Sequence, residues 1–441
     1  MHFSPTTMKR FVYLLISLSL ALSFVGCDYF ALFDEPDSSD QQGTEEVDHT
    51  MIFYIMGDIN ISGSLSENVK QIAQSVGPDF AENGRIVIYY DRRDSTTLLQ
   101  LSANNLKDSE WRNRFEVLKR YEKQNCATEE VLRSVMNDIK SLAPSKSYGI
   151  VFSGHGAGWF PNPISSGTEN DSQKLPPYII EHPISIDPDR IPLTRWYGYD
   201  NNSSKAECFM TTEIMVEGLS VIDLDYIIFD ACYMSSIEML YELRGTADYI
   251  VASPAEIMAY GFPYAEIIPM IFEEKASLVD VAKQFVDYYK NRYTGTYRCA
   301  AVAVVDCSKL EALAQSVKAI YKAGVRDVDL KNVQPLESLY TDHAYFDMMS
   351  YFSLATPNEE LLENFRSAFS SAVVYSDHTS RIYAELGSGS KKTGKAGYVS
   401  SVSPDGILSL CGVSCYVPRD YLPVTKSLWE QTAWGRAVMG N

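Results

Sequence analysis

Two stretches decide how this chain is read: Tyr148-Gly-Ile-Val-Phe-Ser-Gly-His155-Gly-Ala-Gly158 and Tyr226-Ile-Ile-Phe-Asp230-Ala-Cys232-Tyr-Met-Ser235. Each is an apolar run of strand length that ends in one reactive side chain. Taken alone, Gly-His-Gly usually marks a tight turn, and a Cys after an apolar strand is usually core. Both occur where an open α/β sheet places its ligands, at the carboxyl ends of strands. An imidazole there can take the proton of a neighbouring thiol and later hand one to a leaving amine. His155 is the candidate base and Cys232 the candidate nucleophile. Gly154 and Gly156 flank the imidazole, and the Gly156 N–H could point into the site with the Cys232 N–H as an oxyanion hole.

Around these runs, strands alternate with helices. Ile52–Met56, Arg85–Asp91, the run ending at His155, Tyr226–Asp230, Tyr249–Ala252 and Ala300–Asp306 read as strands. Val69–Val76, Glu129–Leu142 (Thr128 as N-cap), Thr211–Gly218, Ser236–Arg244 and Leu278–Arg292 read as helices. That alternation predicts a mostly parallel sheet covered on both faces. Residues 308–375 read as mainly helical, a C-terminal extension packed on the sheet, and strands return near 397–401 and 412–418. Between Trp159 and Phe209 the pattern breaks, with seven prolines and many Gly, Asn and Ser. A loop of that length is functional or disordered.

The 441 residues carry a net charge of −19. Such a surface argues against nucleic-acid partners, since phosphate binding needs basic residues. Lys9 and Arg10 followed by the apolar Phe11–Val25 form a targeting segment too short for a comfortable membrane span. It runs into Ser23-Phe24-Val25-Gly26-Cys27, which resembles a bacterial lipoprotein signal. That resemblance implies cleavage before Cys27, lipid on its sulfur, and anchoring to the periplasmic face of a membrane or to the cell surface. Residues 1–26 are then the signal peptide. Residues 27–49 form an acidic flexible tether, with eight acidic side chains and no Lys or Arg between Asp28 and Asp48. Residues 50–425 are the main domain, with its insertion at 159–209, and 426–441 are a tail. Beyond Cys27 there are seven cysteines, so at least one stays outside any disulfide. Cys411 and Cys415 lack a nearby His, so zinc is poorly supported.

The blocks Ser153-Gly-His155-Gly-Ala-Gly-Trp159 and Phe229-Asp-Ala-Cys232-Tyr-Met-Ser-Ser-Ile-Glu238 resemble the histidine and cysteine blocks of the clostripain family of cysteine peptidases. That family belongs with caspases, gingipains and legumain. Tyr249–Ser253 with Gly261-Phe-Pro-Tyr264, Phe346-Asp347 and Gly412–Pro418 extend the resemblance over roughly residues 50–420. It implies a caspase-like α/β sandwich, a His–Cys dyad with no obligatory third member, and cleavage of peptides or proteins after Arg or Lys; no cofactor is expected. Asp230 fits one acidic position of the first specificity pocket, where a carboxylate pairs with a guanidinium; the bland alternative is a carboxylate capping local backbone N–H groups. Members often carry a second acid just before Gly-aromatic-Pro-Tyr. Here Tyr260 stands there, with Glu256 four positions earlier. The resemblance also implies a zymogen cut between His and Cys, with Lys205-Ala206 as the candidate bond and Arg190 and Arg195 as competitors. Some relatives use Ca2+, but Asp187, Asp189 and Asp200 show no calcium-loop spacing. Two other readings compete: a non-catalytic surface lipoprotein binding a protein or glycan, and a peptidoglycan amidase or transpeptidase. Retention of both His155 and Cys232 disfavours the first, and the His-before-Cys order disfavours the second.

Overall fold

Nine strands hydrogen-bond into one sheet, and its central five are parallel. In chain order these are β1 (His49–Met56), β2 (Gly84–Asp91), β3 (Thr96–Leu101), β4 (Phe115–Tyr121), β5 (Tyr148–Ser153), β6 (Leu224–Asp230), β7 (Ala247–Ala252), β8 (Ala301–Asp306) and β10 (Val373–His378); the short β9 (Phe346–Asp347) lies outside this sheet and pairs with Ser414–Cys415. The sheet order is β10-β8-β7-β6-β5-β1-β2-β3-β4. This computed structural model describes residues 45–59, 61–77, 80, 84–159, 210–273, 277–337, 342–384, 395–397, 407 and 410–440. The signal segment, Cys27, most of the acidic tether, Cys208 and the insertion from 160 onward lie outside the described residues. So do Asp187, Asp189, Arg190, Arg195, Asp200, Lys205 and Ala206.

The central strands are apolar along their whole length because both faces are covered. On β1, Ile52, Tyr54 and Met56 enter one core while Met51, Phe53 and Ile55 enter the other. The second core is closed by α1 (Ser62–Gln74), together with the helices Tyr264–Ile271 and Leu278–Arg292. The first is closed by α2 (Glu129–Leu142), α3 (Thr212–Leu219) and α4 (Ile237–Glu242). Thr128 caps α2 by accepting the Val131 N–H at 3.3 Å, and Glu129 and Glu130 occupy its positive end. Further on come α5 (Tyr264–Ile271), α6 (Leu278–Arg292), α7 (Leu310–Ala323), α8 (Met348–Ala355) and α9 (Glu359–Ala372). The helical segment after β8 thus packs on the first face.

Three features differ from the sequence reading. Thr96–Leu101 and Phe115–Tyr121 add two antiparallel strands beyond β2. Val373–His378 is an antiparallel strand on β8, not the end of a helix. Within residues 426–441, read as a tail, lie the end of α10 (Pro423–Glu430) and the whole of α11 (Ala433–Met439), whose Trp429 and Trp434 are buried in the first core. The domain therefore runs past 425. No helix among the described residues is long and apolar enough to cross a membrane.

Candidate active site

The site grows from the register between β5 and β6. These parallel neighbours align Gly149 with Tyr226 and continue to Ser153 with Asp230. His155 and Cys232 each lie two residues past that last pair, so the register brings both to the same point beyond the sheet edge. The contact there is close. A Cβ added at Gly156 would sit 2.7 Å from Cys232 N and 3.0 Å from the Ala231 Cβ. Only glycine lets the histidine loop lie this near the cysteine backbone. Among the described residues the Gly156 N–H meets no hydrogen-bond acceptor. His155 is 5% exposed and Cys232 is fully buried.

The loop after β7 closes the other side. The Ile257 N–H points at the Cys232 Sγ at 3.3 Å, and the Tyr233 N–H donates to Ala255 O at 3.1 Å. Tyr233 takes a φ of 59°, a left-handed conformation uncommon for an aromatic residue. Its hydroxyl donates to Glu256 Oε1 at 2.8 Å, so Glu256 is buried against Tyr233. The Tyr260 side chain reaches solvent. It is 46% exposed, its ring stacks on Tyr293, and its carbonyl accepts from the Asn68 amide at 2.9 Å.

Asp230 is fully buried, and its Oδ2 accepts from the Tyr264 hydroxyl at 2.6 Å and the Ser153 hydroxyl at 3.3 Å. Both of these partners are side-chain hydroxyls. Sequence reasoning did not give Tyr264 this part, although it sits in the quoted Gly-Phe-Pro-Tyr run. It also missed Tyr345, whose hydroxyl donates to Ala157 O on the histidine loop. No disulfide forms among the described cysteines, and of these only Cys411 is part-exposed. No group of His, Cys, Asp or Glu able to hold a metal occurs among the described residues.

Behind the cysteine, Glu238 near the start of α4 ties in the C-terminal segment. Its Oε1 accepts the Tyr416 N–H at 2.9 Å and the Trp429 Nε1–H at 3.0 Å. Burial pushes this carboxyl up to about 7, against the opposing pull of those donors.

A mixed sheet between two helical layers, with thiol and imidazole loops meeting at adjacent parallel strand ends, defines a caspase-like α/β fold. The clostripain family profile matches residues 53–169 and 164–426, and this chain belongs to the clostripain family of C11 cysteine peptidases. It is 22% identical over 243 residues to clostripain of Hathewaya histolytica, an alignment covering 50% of this chain and 42% of that protein. The chain thus spans less than half of that relative. Among solved structures it is similar to a secreted C11 cysteine protease of Bacteroides thetaiotaomicron, "iotapain", at 27% identity and a TM-score of 0.71. That match covers 90% of this chain and 100% of the other. An inactive zymogen C11 protease of Parabacteroides distasonis is similar at 26% identity and a TM-score of 0.68, covering 90% and 99% of the two chains.

Proposed function

We propose that this chain is an exported, lipid-anchored endopeptidase that cleaves peptide bonds after Arg or Lys, with His155 and Cys232 as its reacting pair. What carries the reading is the contact of the Gly156 backbone with that of Cys232, which sets an imidazole loop against a thiol loop. The thiol passes its proton to the His155 imidazole. The thiolate attacks the scissile carbonyl carbon, and the oxyanion is held by the N–H groups of Gly156 and Cys232. The imidazolium then protonates the leaving amine, and a thioester remains on Cys232. His155 next deprotonates a water, which attacks the thioester; the acid leaves and the thiol is restored.

Asp230 supplies negative charge to the pocket for the basic side chain, and the Tyr264 hydroxyl orients it. Tyr260 stands where relatives often place a second acid, so a single carboxylate carries the preference. Full burial of Cys232 supports a precursor state, because a substrate carbonyl reaches the sulfur only after some part of the chain moves. Cleavage after Lys205 provides that movement, as the zymogen form of the Parabacteroides relative suggests by analogy. Cleavage before Cys27 and lipid on its sulfur give the anchor.

The test is turnover of fluorogenic peptides carrying Arg, Lys, Asp or Leu at the cleaved position, after controlled cutting at Lys205. Wild type should prefer Arg and Lys. Cys232→Ala should lose turnover by several orders of magnitude. Asp230→Asn should lose the basic preference about tenfold or more, since the pair it makes is charge-assisted. Undiminished turnover by Cys232→Ala would sink the mechanism; an unchanged ranking in Asp230→Asn would sink the pocket assignment alone.

A further inference from the structure

The histidine loop is held from outside by a tyrosine pair. Tyr345 donates its hydroxyl to Ala157 O, two residues past His155. Its ring stacks on that of Tyr233 at 4.9 Å and 16°. Tyr233 directly follows Cys232, and its own hydroxyl is taken by the buried Glu256. Gly158 completes the contact. It has a φ of 62°, and a Cβ there would lie 2.7 Å from the Tyr345 hydroxyl and 2.9 Å from Tyr233 O. One stacked pair therefore touches the loop that carries the imidazole and the loop that carries the thiol.

We propose that Tyr345 and Tyr233 are positioning residues, a clamp that holds the His155 loop at reacting distance from Cys232. The inference rests on the assignment of His155 and Cys232 above. Tyr345 contributes a directional bond to a carbonyl, which fixes the loop against rotation as well as translation. Tyr233 transmits the cysteine-side position through its ring, and its left-handed backbone is retained because Ala255 O and Glu256 hold it on both ends. The clamp also spans the insertion. Ala157 and Gly158 precede residue 159, whereas Tyr233 and Tyr345 follow residue 209. A cut after Lys205 leaves the imidazole on one chain and the thiol on the other, with the tyrosine pair joining them at the site.

Tyr345→Phe tests this, because it deletes one hydroxyl and keeps the ring. The expected result on cut protein is kcat lowered about tenfold at a KM within twofold of wild type, since misplaced reactive groups lower the rate of the chemical step. The pH midpoint for alkylation of Cys232 by iodoacetamide should rise in the same variant, because the imidazole supports the thiolate less well. A residue that only stabilises the fold would lower the melting temperature and leave that midpoint in place. Gly158→Ala disturbs the same contact from the other side and should move both readouts in the same direction. Wild-type kcat and an unmoved alkylation midpoint in Tyr345→Phe overturn the clamp. Peptide turnover surviving in Cys232→Ala overturns the dyad and the clamp with it, so the two failures are told apart.

Discussion

Gly156→Ala is the sharpest probe of the site, because the geometry sets its size in advance. The new Cβ would lie 2.7 Å from Cys232 N and closer still to Cys232 O, inside the 3.0 Å that real Cβ atoms essentially never breach, and ordinary contact begins at 3.4 Å. The cysteine backbone or the histidine loop must therefore retreat by about 1 Å to clear Cys232 O, and a 1 Å misplacement costs on the order of 100-fold in rate. We expect kcat/KM on a Lys or Arg peptide to fall about 30- to 100-fold, or roughly 2–3 kcal/mol of transition-state stabilisation. Overpacking should also destabilise the fold by about 1–3 kcal/mol, well short of unfolding it. The assay is steady-state turnover normalised to intact protein, with alkylation of Cys232 alongside. Gly63→Ala in α1 is the matched control, because nothing lies within 4 Å of the Cβ it would add. It should keep full activity. If Gly156→Ala stays within threefold of wild type with an unchanged melting temperature, the two loops do not touch as described.

Two further outcomes concern buried charge. Lys123 binds both oxygens of the fully buried Asp91 at 3.1 and 3.2 Å and Asp58 at 3.4 Å. Lys123→Met should cost about 3 kcal/mol by urea unfolding, the low end for breaking a buried pair because the ammonium is 26% exposed. Adding Asp91→Asn should return a good part of it, and a loss below about 0.5 kcal/mol, the level of an ordinary surface substitution, would show that water already satisfies the carboxylate. Glu238 makes a pH prediction. Its carboxyl is raised to about 7 in the fold, so the native state holds a proton that the unfolded chain has released. Stability should accordingly fall, by about 3 kcal/mol in all, as pH rises from the usual carboxylate range to about 7, and level off above. Glu238→Gln should remove that slope whatever its offset; an identical loss between pH 5 and pH 8 in the variant would place the titration elsewhere.

How much was legible follows from where each element sits. β1, β2, β5 and β6 read clearly because burial on both faces leaves near-continuous apolar runs. β4 did not, because it is the edge strand, half exposed, with Glu116, Lys119 and Arg120 in its sequence. Helix α1 read late, at Val69, because its first turn is Ser62-Gly-Ser and only Leu65 there faces the core. The C-terminal helices carried a signal that was passed over: Pro423 at a helix start, then Trp429 and Trp434. At the site, His155 and Cys232 announce themselves locally through glycine and strand ends. Glu256 was legible as an acid near the loop, but its direction, toward Tyr233, depends on a bond across 23 residues. The Tyr345 bond to Ala157 spans 188 residues, and no local pattern predicts it.

One alignment governs both the proposed chemistry and the proposed specificity. The β5–β6 register that sets Ser153 beside Asp230 also sends the next residues of each chain to His155 and Cys232. Side chains alternate along a strand, so a slip by one residue would turn Asp230 to the opposite face and separate the loops at the same time. The register is pinned from below, where Gly149 leaves space for the Tyr226 ring and Tyr226 bonds His49 on β1 at 3.0 Å. A side chain at 149 would collide with that ring. Damage at the amino end of these strands should therefore reach Asp230, His155 and Cys232 together, at the sheet's other end. Substitutions in the loop after β7 should disturb the surroundings of the sulfur without moving the β5–β6 pair.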